Sequence, residues 1–247
     1  MITYATLTKI GGRKVNEDSV GVRQTSGRIL CVLADGLGGH NAGEIASALA
    51  VENALKHFIE STVPFDEMLS SCMNKAQEEI IKEQHKRNKI DEMKTTAVML
   101  LIDDNRAQWA HVGDSRLYIF ENSEVAGRTL DHSVPQMLAL QGEIKEKEIR
   151  YHEDRNRLTR AMGAQWDNPK YVLSEPVDLP ASTSFLLCSD GFWEMIEEKE
   201  MSRCLKKSSE PEQWLFAMEK IVLRNGKKKN MDNYSAIAIF VSIGKKE

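Results

Sequence analysis

The sequence predicts an α+β protein: a four-layer α-β-β-α sandwich, two antiparallel sheets face to face with helices outside, plus a flap insert. Three observations predict it. Short apolar runs rich in branched residues end at Gly, Asp or Asn, as buried strands do. Between Thr95 and Phe120 such runs follow one another through tight turns, too short for a crossover, so the neighbours are antiparallel. Helical periodicity comes in pairs of segments rather than after every strand, so the βαβ alternation of a parallel sheet is missing.

Taken in order, residues 2–10 and 19–23 read as strands around a loop that holds Arg13, Glu17 and Asp18 beside a glycine pair. The run 29–34 carries an unbroken apolar stretch into Asp35, which is expected at the strand end. Gly36 is expected to turn the backbone sharply and leave its carbonyl bare, and Gly38 and Gly39 to permit a second close approach. Asn41-x-x-Glu44 reads as a variant capping box opening a helix. Helices follow at about 42–60 and 65–87, separated by Pro64, the second very polar toward its end.

Then the period changes. Strands are expected at 95–102, 107–112 and 116–120, with Asp103-Asp104-Asn105 as a turn. Residues 131–163 break the pattern: polar, helical at about 134–141 and 145–152, and carrying Arg150, Arg155, Arg157 and Arg160. Such an insert between strands is a candidate flap over a site. Strands resume at about 171–178 and 184–189, helices at 197–206 and 211–224, and a last strand at 233–242.

The bulk properties bound the function. The 247 residues suit a single domain, 1–247, and 41% hydrophobic with 28% charged residues leaves enough apolar material for a sizeable core. A net charge of -4 without a long basic face argues against nucleic acid. Lys227-Lys228-Lys229 reads as a solvated loop. Cys31, Cys72, Cys188 and Cys204 lack paired CxxC spacing, which fits a reducing compartment without zinc or disulfides. Neither a leader-like N-terminus nor a membrane-length apolar run is present, so a soluble, cytoplasmic, monomeric protein is expected.

Asp35-Gly36 alone is an ordinary turn dipeptide. Repetition changes that reading. Asp190-Gly191 ends a second apolar run, Gly113-Asp114 joins two more, and Asp232 leads into the last. Carboxylates on stiff strand ends, with backbone carbonyls and no His/Cys ligand set, select Mg²⁺ or Mn²⁺. Two such ions bridged by one carboxylate would share a water, lower its pKa and direct the hydroxide in line at a phosphate ester. A guanidinium could hold two phosphate oxygens, and Arg13 shares its loop with Glu17 and Asp18.

The ordered set Arg13-x-x-Asn16-Glu17-Asp18, Asp35-Gly36-x-Gly38-Gly39, Thr95-Thr96-Ala97, Gly113-Asp114-Ser115-Arg116, Leu158-Thr159-Arg160-Ala161-Met162-Gly163, Cys188-Ser189-Asp190-Gly191 and Asp232-Asn233 resembles the metal-dependent serine/threonine protein phosphatases of type 2C. The likeness covers nearly the whole chain and leans toward compact bacterial members. It implies that Asp35 bridges two metals, that the Gly36 carbonyl binds one of them, and that Asp190 and Asp232 bind the other. Glu17 and Asp18 would act through metal-bound waters. Arg13 would clamp the phosphate, and Asp114 would join Asp190 in a third, weaker site. Residues 131–163 would be the flap.

Some positions depart from the pattern. Leu37 stands where animal members carry a histidine proposed as general acid, Ser235 where Thr is usual, and Met162 where Leu is usual. His40 is nearby in sequence but reads as a cap or packing residue. The expected function is removal of phosphate from phosphoserine and phosphothreonine in proteins, substrates of a cognate serine/threonine kinase. Three alternatives stay open: a catalytically silent phosphoprotein-binding regulatory domain, a phosphatase of an anti-sigma-factor antagonist, and hydrolysis of small phosphate esters.

Overall fold

The computed structural model describes residues 1–25, 27–38, 42–90, 92–227 and 230–242. The expected roles of Gly39, His40, Asn41 and the Lys228-Lys229 pair lie outside these residues. The strands are β1 (Ile2–Lys9), β2 (Asp18–Gln24), β3 (Arg28–Leu37), β4 (Lys94–Thr95), β5 (Ala97–Asp103), β6 (Arg106–Val112), β7 (Arg116–Glu121), β8 (Glu124–Arg128), β9 (Val172–Leu173), β10 (Val177–Asp178), β11 (Ser182–Cys188) and β12 (Tyr234–Ser242). The helices are α1 (Ala42–Glu60), α2 (Phe65–Arg87), α3 (Val134–Gln141), α4 (Asp190–Trp193), α5 (Glu198–Leu205) and α6 (Pro211–Gly226), with a 3-10 helix at Glu146–Tyr151.

One sheet runs β1-β12-β11-β7-β8 and the other β10-β6-β5-β3-β2, with β4 on β3 and β9 on β6; every pairing is antiparallel. The two-residue side-chain period of a strand explains the layers. Ile29, Cys31 and Leu33 of β3 meet Phe185, Leu187, Ile237 and Ile239 of the opposite sheet. Leu30, Val32 and Ala34, on the other face, pack under α1 and α2 with Ala50, Ala54, Leu69 and Met73. Leu186, Ala236 and Ala238 likewise pack under α5 and α6 with Met201, Trp214 and Met218. Strands buried on both faces read as continuous apolar runs, which is why these were legible.

The polar outer face of α2 carries Lys75–Glu78, Lys75–Glu79, Lys86–Glu83 and Arg87–Glu83 pairs at one-turn spacing. Ser133 caps α3, and Gly142 closes it in the left-handed region at φ 78°.

Several expectations need correction. Asp35 is not at a strand end: β3 continues through it to Leu37, held there by β4. Gly36 is therefore not the turn. An added Cβ there would lie 2.4 Å from the Gly43 carbonyl group and 2.7 Å from the Glu17 carbonyl, so its absence is what lets α1 and the Glu17 loop close on β3. β3 ends at Leu37, and Gly38 follows it at φ 147°, a value that suits glycine. The segment at 171–178 is two short strands, because Pro176 between them has no N–H to give a ladder. The helix at 145–152 is of 3-10 type. β8 and α4 were not foreseen. β8 is a mixed edge strand closed by Asn122 and Ser123, both at positive φ. α4 is a single turn, too short for periodicity to reveal.

Gly36→Ala is expected to cost roughly 2–3 kcal/mol of stability through backbone overpacking. A thermal melt of the variant beside the parent chain checks this; an unchanged melting temperature would mean that α1 can back away.

Candidate active site

At one end of the strand sandwich lies a cavity of about 350 Å³ lined by Arg13, Lys14, Glu17, Asp35, Gly36, Asp114, Asp190 and Asp232, among others. Asp18 lies buried beside it. Five separate parts of the chain deliver these groups. Asp18 opens β2 and pairs directly across from Asp35 on β3. Asp114 sits in the β6–β7 turn after Gly113, whose φ of 97° suits glycine. Asp190 is the first residue of α4, and Asp232 precedes β12. All seven acid and glycine positions expected for cation binding thus meet at one place, together with Arg13.

The backbone around Asp35 is pinned. Its N–H donates to the Thr96 hydroxyl at 2.9 Å, and its carbonyl accepts from the Thr95 hydroxyl at 2.8 Å and the Thr96 N–H at 2.8 Å. Thr96 also bonds Ser115 at 2.7 Å, which reaches the Asp114 turn. Ser189 donates to Asp18 at 2.8 Å and accepts from the Ser235 N–H at 3.0 Å. Asn233 accepts from the Glu17 N–H at 2.8 Å and donates to the Ile10 and Val15 carbonyls at 2.8 and 2.9 Å, which shapes the loop carrying Arg13.

Five carboxylates line the cavity against two cationic side chains, Arg13 and Lys14. Arg13 donates to Asp232 at 2.6 Å, which holds the guanidinium above its ordinary pKa. Burial first, then the charges of Asp18, Asp190, Asp114 and Asp232, push Asp35 well above the usual carboxylate range. Burial and the neighbouring Asp190 and Asp131 do the same to Asp114. Burial and Asp232 raise Asp190 to about 6, against a hydrogen bond with Asp35 that lowers it. Burial raises Asp18 to about 7, opposed by its bonds to Ser235 and Ser189. Glu17 is raised by burial and by Asp232.

Among the described residues no three acids stand around a single point as a bound ion would gather them. Asp232 is turned to Arg13 and Asp190 to Asp35. The residues nevertheless fit divalent cations. The donors are hard oxygens, the charge is in excess, and Asp18 Oδ1 is buried without a hydrogen-bond partner.

A family model described as Protein phosphatase 2C matches residues 8–232. The chain belongs to the protein phosphatase 2C family. It is 32% identical over 200 residues to the Serine/threonine phosphatase stp of Listeria monocytogenes, covering 78% of this chain and 79% of that protein. Protein phosphatase PhpP of Streptococcus pneumoniae is 31% identical over 208 residues, 79% of this chain and 80% of that one. The Mycobacterium tuberculosis serine/threonine phosphatase PstP/Ppp superposes with a TM-score of 0.86 at 27% identity, over 98% of this chain and 99% of that one. The catalytic domain of PstP in complex with two manganese ions gives a TM-score of 0.83, also at 27% identity and with 98% of each chain covered.

Against that family background the departures have places. Leu37 lines the cavity and has no proton to give. The Ser235 hydroxyl reaches Thr8 at 2.9 Å, so the shorter residue still bonds. Met162 is fully buried and pairs with Thr95. Sequence reasoning missed Lys14, Asn156 and Leu158 as lining residues, and gave Thr95, Thr96, Ser189 and Asn233 no role although each lay in a quoted motif.

The raised acids set a pH dependence. Asp18 and Asp190 titrate near 7 and 6 in the folded chain but near 4 when unfolded. Between those values the folded state binds more protons, so their contribution to stability falls as pH rises from about 4 to about 7. Without divalent cations, the melting-temperature difference between the parent chain and Asp18→Asn should move against the parent as pH rises across that window. Added Mn²⁺ should raise the parent's melting temperature most at the alkaline end. A parent that gains on the variant with rising pH would contradict the raised Asp18.

Proposed function

We propose that this chain is a metal-dependent protein phosphatase that hydrolyses phosphoserine and phosphothreonine in proteins. The observation that carries the reading is the gathering of Asp35, Asp114, Asp190, Asp232, Glu17 and Arg13 on one cavity. Asp35, the Gly36 carbonyl, Asp190 and Asp232 would hold two Mg²⁺ or Mn²⁺ ions, with Asp114 and Asp190 available to a third. When bound, such ions lower the pKa of water and offset the charge of a phosphate ester.

The chain's own groups do the rest. Arg13 lies at the rim with its guanidinium half exposed, so it can leave Asp232 for a phosphate and hold two of its oxygens. Cations arriving at Asp232 would release Arg13 for that task. Glu17 and Asp18, raised in pKa, are able to accept hydrogen bonds from bound water. Thr95 and Thr96 keep the Asp35 backbone from shifting as charge enters. The residues 131–163 serve as a flap: Asn156 and Leu158 form part of the cavity wall. The full acid set favours turnover over a silent phosphoprotein-binding domain. The natural substrates would be targets of a cognate serine/threonine kinase, met by a monomeric domain in the cytoplasm.

Hydrolysis of a phosphothreonine peptide and of an aryl phosphate should both require Mn²⁺ or Mg²⁺. Asp35→Asn is expected to lower kcat by about a hundred- to a thousandfold, the usual cost of removing preorganised charge at a reacting centre. Arg13→Ala should raise KM several-fold and reduce kcat less. Wild-type turnover by Asp35→Asn would refute the reading.

A further inference from the structure

The four-residue helix α4 connects two of the acids. It opens with Asp190 and closes with Trp193. The Trp193 indole N–H donates to the Asp114 backbone carbonyl at 3.0 Å. The same ring carries the Arg116 guanidinium 3.4 Å from its centroid. Arg116 stands two residues after Asp114, so one buried indole holds the turn at the carboxylate-bearing residue itself and where it runs into β7. Arg116 is fixed in turn by two bonds to Asp131, at 2.8 and 2.7 Å, and one to the Tyr118 hydroxyl at 2.8 Å.

A second hold comes from the insert. Arg150 donates to the carbonyls of Trp193 and Ile196, each at 2.8 Å, and forks onto Glu198 at 2.8 and 3.0 Å. Neither Trp193 nor Arg116 lines the cavity. A leucine would fill the same apolar space, but it could not satisfy the turn carbonyl or stack on a guanidinium. The polar parts of this cluster are thus spent on geometry.

We propose that Trp193 is a positioning residue for the cation shared by Asp114 and Asp190. α4 supplies one carboxylate directly and sets the other through the indole, and Arg150 makes that setting depend on how the 131–163 insert is seated. The proposal rests on the metal-binding reading of Asp114 given above. Loosening Trp193 should weaken the most weakly held ion and spare those at Asp35.

Mn²⁺ binding by calorimetry, with ions counted per chain, tests this beside circular-dichroism melting. Trp193→Phe keeps an aromatic face for Arg116 but removes the N–H. It should weaken the last Mn²⁺ roughly three- to tenfold, the loss of about one buried hydrogen bond, with the tighter ions unchanged. Arg150→Gln should move the same constant in the same direction. If Trp193→Phe does not fold, Arg150→Gln alone carries the test. A Trp193 that serves packing only would lower the melting temperature and leave ion affinity alone. If Asp114→Asn does not affect the last ion, the metal reading of Asp114 fails. If Asp114→Asn removes that ion while Trp193→Phe and Arg150→Gln bind it like the parent chain, the positioning role is overturned.

Discussion

Uncompensated negative charge at one end of a two-sheet core is the constraint on which this molecule turns. Oil-like strand interiors make poor solvents for carboxylates, yet Asp18, Asp35, Asp114 and Asp190 are all brought to the margin of that interior. The crowding raises the pKa of these acids, and Arg13 pairs with the neighbouring Asp232. Divalent cations offset the charge better, because each supplies two positive charges and several coordination positions. The same crowding that disfavours the empty arrangement therefore favours a loaded one.

The frame must resist this repulsion, and it does so with neutral hydrogen bonds. The Thr96–Ser115 pair stands behind Asp35 and Asp114. The Ser189–Ser235 link crosses from the start of α4 to β12 and ends on Asp18. Hydroxyls and amides here cost little to bury when fully paired, and they hold acids without cancelling their charge. Arg116 and Asp131, the strong buried ion pair nearby, lie one layer back from the cavity, where cancelling charge does no harm to the site.

The two-sheet architecture was legible because its central strands are apolar on both faces and Pro64 separates its two long helices. What escaped notice was short or irregular: α4, the edge strand β8, and the break at Pro176. The acids could be named because aspartate beside glycine recurred after apolar runs. Their supports could not. A threonine that bonds a neighbouring strand's backbone looks in sequence like any strand threonine. Trp193 looks like any core aromatic until its N–H is seen to face Asp114. Gly36 was read as a bend because Asp-Gly commonly bends; only the approach of Gly43 reveals that a missing side chain, not a turn, is what the position requires.

β12 lies between β1 and β11, so β1 pairs with a strand far from it in sequence. Contacts of such long sequence separation form late and slowly. Asp232 and Asn233, which steady Arg13 and Glu17, arrive with that strand. During synthesis on the ribosome, then, a nascent chain can build most of one sheet while still lacking a working centre. The cavity would be completed only once β12 and the residues leading into it are made, and a chain cut short before them would carry every early motif and lack Asp232.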